Sequence, residues 1–174
     1  MRLQHRPLSA VLISAFALTA CCGLPKSDRT ALDGAWRVVA VEVEGSGATK
    51  HDQPQPSLVL FSGEYYSWSR VTTTSPRALF VAETPTDAER IAAFDSVLFN
   101  AGTYVVSDST LTVWPIVARS PNFMGGASER YRYRLNGDTL WVEQRPDDVQ
   151  FRLGDRLVSP STDRVLRLVL QRIP

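Results

Sequence analysis

The stretch RYRYRLNGDTLWVEQ (residues 130–144) decides the fold. Polar and apolar side chains alternate on both sides of Asn136-Gly137, and a period of two is typical of a strand with one buried face. Asn-Gly between two alternating runs is the strongest short-range signal of a β-hairpin. The stretch therefore predicts two antiparallel strands, over 130–135 and 140–144, joined by a tight turn.

Similar short alternating segments occur along the chain from Gly34 onward. Further strands are predicted at 36–44, 58–61, 65–71, 78–81, 103–107, 111–118, 149–153 and 165–173. Eight to ten short strands within residues 32–174 favour a closed antiparallel β-barrel over a sandwich, because closure removes the exposed strand edges. The predicted fold class is therefore all-β.

One segment breaks the alternation and predicts a single short α-helix over about residues 85–98. Thr84 is the predicted N-cap, Pro85 the first helical residue, and Asp87 completes a capping pattern. Apolar residues then recur at helical spacing between Ala88 and Leu98. We expect this apolar stripe to pack against the barrel.

Residues 1–20 have the three zones of a secretory signal peptide: a basic start, an apolar run and small residues at the end. Leu18-Thr19-Ala20-Cys21 resembles the lipobox of bacterial lipoproteins. The resemblance implies cleavage before Cys21 and acylation of its thiol, with palmitate among the expected chains, and several acyl chains anchor a protein stably. The implied organisation is a signal peptide at 1–20, a lipidated tether at 21–31 and a barrel at 32–174.

The same resemblance implies a place in the cell. A lipid-anchored chain belongs to the cell envelope. Cys22, rather than aspartate, follows the anchor, which favours the outer membrane, facing the periplasm, in a Gram-negative host.

Composition and charge exclude several kinds of function. The chain has a net charge of +1, so it lacks the excess of basic residues that is typical of a nucleic-acid-binding protein. Its only cysteines, Cys21 and Cys22, are adjacent, so a disulfide framework is excluded. Beyond the leader the single histidine, His51, lies in a predicted loop, and no cluster of metal ligands or phosphate-binding loop occurs. We predict no catalytic residues, no metal and no cofactor.

The residues Gly34-Ala35-Trp36, preceded by Leu32, resemble the Gly-x-Trp signature that opens the first strand of lipocalins. The resemblance implies a structural role for Gly34 and Trp36. It also implies that the tryptophan closes one end of the barrel under an arginine from near the chain end. Arg172 is the first candidate and Arg167 the second.

Four further segments, 86–95, 101–104, 121–125 and 135–140, resemble the bacterial lipocalin-like domain family. Together with the Gly-x-Trp signature they extend over most of residues 32–144. The chain departs from this family in two places. Family members often carry histidines in the strand that corresponds to residues 112–116, where this chain has none, and the stretch 145–163 is longer than is usual in the family. The family has no single activity, so the resemblance implies a fold and a small-molecule pocket rather than a reaction.

Aromatic side chains on strands supply the candidate pocket, since pockets in barrel mouths combine apolar walls with a few polar groups. Alternation places Arg130, Arg132 and Arg134 on one face of their strand and the two neighbouring tyrosines on the other, without deciding which face points inward. The predicted ligand-binding residues are Tyr66, Trp68, Arg70, Tyr104, Trp114, Tyr131, Arg132 and Tyr133.

Three functions follow as hypotheses. The first is a membrane-tethered, non-catalytic protein that binds a small apolar or amphipathic molecule in the barrel. The second is an enzyme of the isomerase or cyclase type for a lipid-like or polyketide-like substrate, with Arg132 or Asp95 as the expected buried polar group. The third is a filled barrel that acts as an envelope interaction module, with aromatic side chains exposed on its outer wall.

Overall fold

The computed structural model describes residues 29–174, which form eleven strands and one α-helix. The α-helix is Asp87–Asp95 (α1), and short 3-10 helices lie at Arg29–Ala31, Pro121–Phe123 and Pro146–Asp148. The strands are Gly34–Glu44 (β1), Thr49–His51 (β2), Ser57–Ser62 (β3), Tyr65–Val71 (β4), Val97–Ser107 (β5), Thr110–Ala118 (β6), Ser128–Asn136 (β7), Thr139–Gln144 (β8), Val149–Leu153 (β9), Arg156–Val158 (β10) and Val165–Arg172 (β11).

Eight of these strands close into an antiparallel barrel. Their order around the wall is β7-β6-β5-β4-β3-β1-β11-β8, and pairing of β8 with β7 completes the ring. Three short strands lie outside this ring: β2 pairs with β1, and β9 continues from β7 to β10. The predicted all-β closed barrel with one helix is thus confirmed.

The hairpin in residues 130–144 forms as predicted, with the turn one residue later. Asn136 pairs with Thr139, so Gly137 and Asp138 are the two loop residues. Gly137 has a φ of +55°, a value that glycine adopts without steric cost. The turn between β5 and β6 places Asp108 at a φ of +49°, and aspartate tolerates this region better than most residues.

Several predicted boundaries were wrong. No strand forms at 78–81, and β5 begins at Val97, six residues before its predicted start. The short strands β2 and β10 were missed, because three-residue strands carry too little alternation to stand out. These differences concern the edges of the barrel and leave its eight-stranded wall unchanged.

The helix is shorter than predicted and begins two residues later. Its N-cap is Thr86 instead of Thr84, and a capping box joins the Thr86 side chain to the Glu89 backbone and the Glu89 carboxylate back to the Thr86 amide. The expected packing of an apolar stripe on the barrel is wrong, since no residue of α1 is buried and Ile91 and Phe94 are exposed. The guanidinium of Arg119, 4.5 Å from the ring centre of Phe94, covers part of that ring instead.

One end of the barrel is plugged around Trp36, which is fully buried. Its indole Nε1 donates to the carbonyl of Leu32 at 2.8 Å, and the guanidinium of Arg172 lies 4.1 Å from the ring centre. Arg172 also donates to the carbonyls of Ala31 and Asp33. Arg172 is therefore the partner of Trp36, as expected, and this end is called the closed end below.

Gly34 is required at the same place for two reasons. Its φ is +125°, which side chains rarely allow, and a Cβ there would lie 3.0 Å from Nη1 of Arg172. The glycine and the tryptophan of the signature thus act together: one lets the backbone turn beneath the arginine, and the other fills the end of the barrel.

The predicted signal peptide, Cys21 and residues 22–28 of the tether lie outside the described residues. Arg29–Ala31, which the prediction assigned to the tether, form a 3-10 helix at the closed end. Within residues 29–174 no helix has the length and apolar character needed to cross a membrane. Over the same range no three His, Cys, Asp or Glu side chains are grouped as metal ligands.

Candidate functional site

The end of the barrel opposite Trp36, called the open end below, carries polar side chains inside the wall. It is formed by the last residues of β1, β4, β6 and β8 and the first residues of β3, β5, β7 and β11. Polar groups inside a barrel are costly unless they have hydrogen-bond partners or meet a ligand. The inward polar residues here are Arg70, Asn100, Glu129, Tyr131 and Gln144.

Glu129 is the centre of a buried hydrogen-bond network. Its Oε1 accepts from Nδ2 of Asn100 at 2.9 Å. Its Oε2 accepts from the Tyr131 hydroxyl at 2.7 Å and from Nε2 of Gln144 at 2.9 Å. Burial, followed by the negative charge of Glu129, raises the pKa of Tyr131 well above its usual range. Tyr131 is therefore a neutral phenol that stabilises the carboxylate as a donor.

Arg70 lies inside the wall near the end of β4, and no residue of 29–174 pairs with it in this way. Its Nε is buried without a hydrogen-bond acceptor among the described residues. The ion pairs found in residues 29–174 also leave it out. Burial lowers the pKa of Arg70 from its ordinary value, and the nearby Tyr131 opposes that shift. A guanidinium stays charged in proteins, so the open end contains a largely buried cation without a counter-ion among residues 29–174.

A cavity of about 190 Å³, called the mouth cavity below, opens onto Arg70. Its apolar side is formed by Val41, Val43 and Leu166. Among the described residues, its lining includes two arginines, Arg70 and Arg164, and no aspartate or glutamate. The remaining lining residues are Thr49, His51, Gln53, Pro54, Gln55, Val71, Thr72, Thr73 and Thr74.

Four of the predicted ligand-binding residues lie together inside the barrel. Trp68 stacks on Tyr131 with ring centres 5.4 Å apart, and both are buried next to the residues of the Glu129 network. Tyr66 is buried on the same strand as Trp68 and Arg70, and it lies two residues nearer the closed end than Trp68. These four residues lead from the middle of the barrel to the mouth cavity, although only Arg70 lines the cavity itself.

Tyr104 and Tyr133 also face inward but belong to the packed core. Tyr104 lies edge-on to Phe61, with ring centres 5.0 Å apart. Burial raises the pKa of Tyr104 to about 12, with a smaller contribution from Asp33. Tyr133 packs against the core without lining the mouth cavity.

Trp114 and Arg132, two of the predicted ligand-binding residues, lie on the outer wall of the barrel. Trp114 is 38% exposed, because Leu111, Val113 and Pro115 occupy the inward positions of β6. Arg132 points outward because Tyr131 on the same strand points inward. On the outer wall its guanidinium forms ion pairs with Glu143 at 3.6 Å and Asp148 at 3.3 Å. Asp95, the other polar group named for an enzyme, is also exposed and pairs with Arg119.

The sequence prediction missed Asn100, Glu129 and Gln144. The signal was present in the alternation: the inward series Tyr133, Tyr131 extended by two residues reaches Glu129, and the series that contains Tyr104 and Gly102 reaches Asn100. The predicted strands began at 130 and 103, which left both residues out. A strand boundary set a few residues short thus left out Glu129, whose carboxylate is buried inside the barrel.

Replacing Tyr131 by phenylalanine is expected to lower the free energy of unfolding by about 2 kcal/mol, because Glu129 loses a charge-assisted hydrogen bond in a buried site. Tyr66→Phe is the matched control: its hydroxyl is buried without a partner among the described residues, so stability stays equal or rises. Urea unfolding followed by circular dichroism measures both. Equal losses in the two variants would contradict the network.

A second cavity, of about 220 Å³, lies between α1 and the segment before it. It is lined mainly by Pro76, Ala78, Leu79, Phe80, Ala92 and Ala93, with Arg77 and Glu89 among the charged residues. Glu89 is engaged by the helix cap and by the amide of Val81, and Arg77 donates to Ser96 and Ala93. No charged group is left without a partner there, so this groove is a weaker candidate than the mouth cavity.

Comparison with known proteins gives a distant likeness to solved structures. No family model matches the chain, and no curated protein matches it. The crystal structure of Rv2717c from M. tuberculosis is similar at 15% sequence identity, over 83% of this chain and 94% of that one, with a TM-score of 0.30.

Proposed function

We propose that this chain binds a small amphipathic molecule in the mouth cavity at the open end of the barrel. The observation that carries the proposal is the pairing of an apolar wall, formed by Val41, Val43 and Leu166, with the unpaired guanidinium of Arg70 in one cavity. Ligand sites combine apolar lining with a few placed polar groups in this way. The rest of the barrel interior toward the closed end is filled by side chains and serves as the rigid floor.

Native mass spectrometry of the full-length protein, after incubation with a lipid-rich extract, tests this function. Wild type is expected to retain a small molecule of defined mass. Val43→Trp places a bulky ring in the cavity and is expected to lose that molecule, whereas Val105→Trp, a half-exposed valine outside the cavity, keeps it. A wild-type protein that stays empty, or a Val43→Trp variant that retains the molecule, would count against the proposal.

A second function is favoured by one observation on the outer wall. Tyr65 and Trp114 are exposed and are linked in a row through Thr103, and Ile116 is exposed two residues beyond Trp114. Exposed apolar groups of this kind occur at protein interaction sites. If the mouth cavity proves empty, a Trp114→Ser variant that no longer binds a partner retained by wild type would support the interaction module.

The proposal includes attachment of the chain to a membrane through Cys21, which the lipobox-like Leu18-Thr19-Ala20-Cys21 supports. Cys21→Ala is expected to move the protein out of the membrane fraction, or to leave an unprocessed precursor of higher mass, because acylation of the thiol no longer occurs. Cys22→Ala is the matched control and is expected to behave as wild type. A processed Cys21→Ala protein that stays in the membrane fraction would contradict the anchor.

A further inference from the structure

We infer that the ligand of the mouth cavity carries an anionic oxygen group, and that Arg70 is the residue that binds it. The inference rests on the proposed function and names the chemical class of its ligand. Three observations carry it: the positive charge of the cavity lining, the buried and unpaired Nε of Arg70 among the described residues, and the engagement of the Glu129 carboxylate by other residues.

In the part of the chain that the structure describes, the charged residues that line the mouth cavity are both arginines. Arg70 lies at its inner side, and Arg164 lies at its exposed rim. Asp163, next to Arg164 in sequence, accepts a hydrogen bond from the amide of Ser46 at 3.1 Å and does not line the cavity. Two guanidinium groups without a facing carboxylate attract an anion, and the effect is larger in a partly enclosed site than in open water.

Glu129 does not neutralise Arg70. Both of its oxygens are occupied by Asn100, Tyr131 and Gln144, and no ion pair joins it to Arg70. Among residues 29–174, the buried Glu129 is therefore satisfied by neutral donors, whereas the largely buried Arg70 has no counter-ion. Burying an unpaired charge is costly, and a ligand anion supplied from solution removes that cost.

The shape of the site favours a carboxylate or phosphate carried by a small apolar group. A guanidinium presents parallel N–H groups that match two oxygens of such an anion, and the valines and leucine of the cavity lie beside it. A free inorganic anion would use only the guanidinium, whereas an amphiphile would use the apolar wall as well. The two sources of the anion thus differ in whether the wall contributes to affinity.

Isothermal titration of the full-length protein with three probes tests the inference: octanoate, octan-1-ol and inorganic phosphate. Wild type is expected to bind octanoate more tightly than octan-1-ol by about tenfold or more, with phosphate weaker than octanoate. Arg70→Met is expected to weaken octanoate binding roughly 10- to 100-fold and to leave octan-1-ol binding unchanged. Arg130→Met, the same change on the outer face of β7, is the control and is expected to bind as wild type.

Two measurements keep the test independent of the stability of the Arg70→Met variant. In wild type, the Nε–H resonance of Arg70 is expected to shift with octanoate and not with octan-1-ol. Arg164→Gln, at the exposed rim, is expected to weaken octanoate binding by a smaller factor than Arg70→Met, because its charge is better screened.

The outcomes separate the inference from the function. Equal binding of octanoate and octan-1-ol, or full octanoate binding by Arg70→Met, overturns the inference and leaves the binding function standing. Failure of all three probes, together with an empty protein in mass spectrometry, overturns both. Phosphate binding that depends on Arg70 and equals that of octanoate supports the anion site, and identifies a free anion instead of an amphiphile as its occupant.

Discussion

The free energy of unfolding is expected to fall by about 3–5 kcal/mol when Trp36 is replaced by alanine. Trp36 is the largest of the fully buried side chains, and its removal leaves a cavity at the closed end. It also removes the hydrogen bond to the Leu32 carbonyl and the ring beneath the Arg172 guanidinium. Domains of this size are stable by about 5–15 kcal/mol in total, so the variant loses a large part of its stability.

Trp114→Ala is the matched control for this loss. It deletes the same side chain from the outer wall, where Trp114 is partly exposed, and a cost below about 1 kcal/mol is expected because little apolar area leaves a buried site. The free energy of unfolding of both variants is measured by urea denaturation, followed by circular dichroism in the far ultraviolet. A similar loss for the two tryptophans would contradict the assignment of Trp36 as the plug of the closed end.

Replacing Gly102 by alanine is expected to cost about 3 kcal/mol or more, or to prevent folding. A Cβ on Gly102 would lie 2.0 Å from the Trp114 carbonyl oxygen, 2.8 Å from the Ile116 amide and 2.9 Å from the Pro115 Cα. These are backbone atoms of the paired strand β6, so no side-chain rotation relieves the contact. The register shift between Ala101 and Gly102 is the bulge that brings the two backbones so close.

Gly47→Ala separates this contact from the general cost of losing a glycine. Gly47 has a φ of +75° and open space around it, so alanine there costs about 1–2 kcal/mol through backbone conformation alone. Thermal unfolding of both variants gives the comparison. A Gly102→Ala protein as stable as Gly47→Ala would contradict the bulge at the junction of β5 and β6.

The barrel was predictable because its determinants are local. Alternation gives each strand its inward face, and the pairs at Ser62-Tyr65, Ser107-Thr110 and Asn136-Thr139 are each joined by a two-residue loop that carries a turn signal. The closed end was predictable from a resemblance that named Trp36 and Arg172 together. Alternation alone does not tell which of the two faces of a strand points into the barrel, because both faces repeat with the same period of two.

The candidate site was less predictable for the same reason. The face of β7 that points inward determines whether Arg132 or Tyr131 lies inside the barrel. The alternation of that strand fits either orientation. Its pairing with the buried Leu111 of β6 and Val142 of β8 shows that the tyrosine face points inward. Glu129 and Asn100 lie at strand starts, where the alternation fades into a loop. The mouth cavity brings together β1, β2, β4 and β11 with the residues that flank them, and only the closed barrel makes these distant segments neighbours.

The binding of a small amphiphile at the open end is the central claim, and amide chemical-shift mapping of the full-length protein with octanoate tests it most directly. We expect the largest shifts at 41–43, 49–55, 70–74 and 164–166, with Trp36 and Arg172 at the closed end unchanged. Shifts concentrated in α1 and residues 75–80, or at the closed end, would contradict the claim, and so would a spectrum that octanoate leaves unaltered.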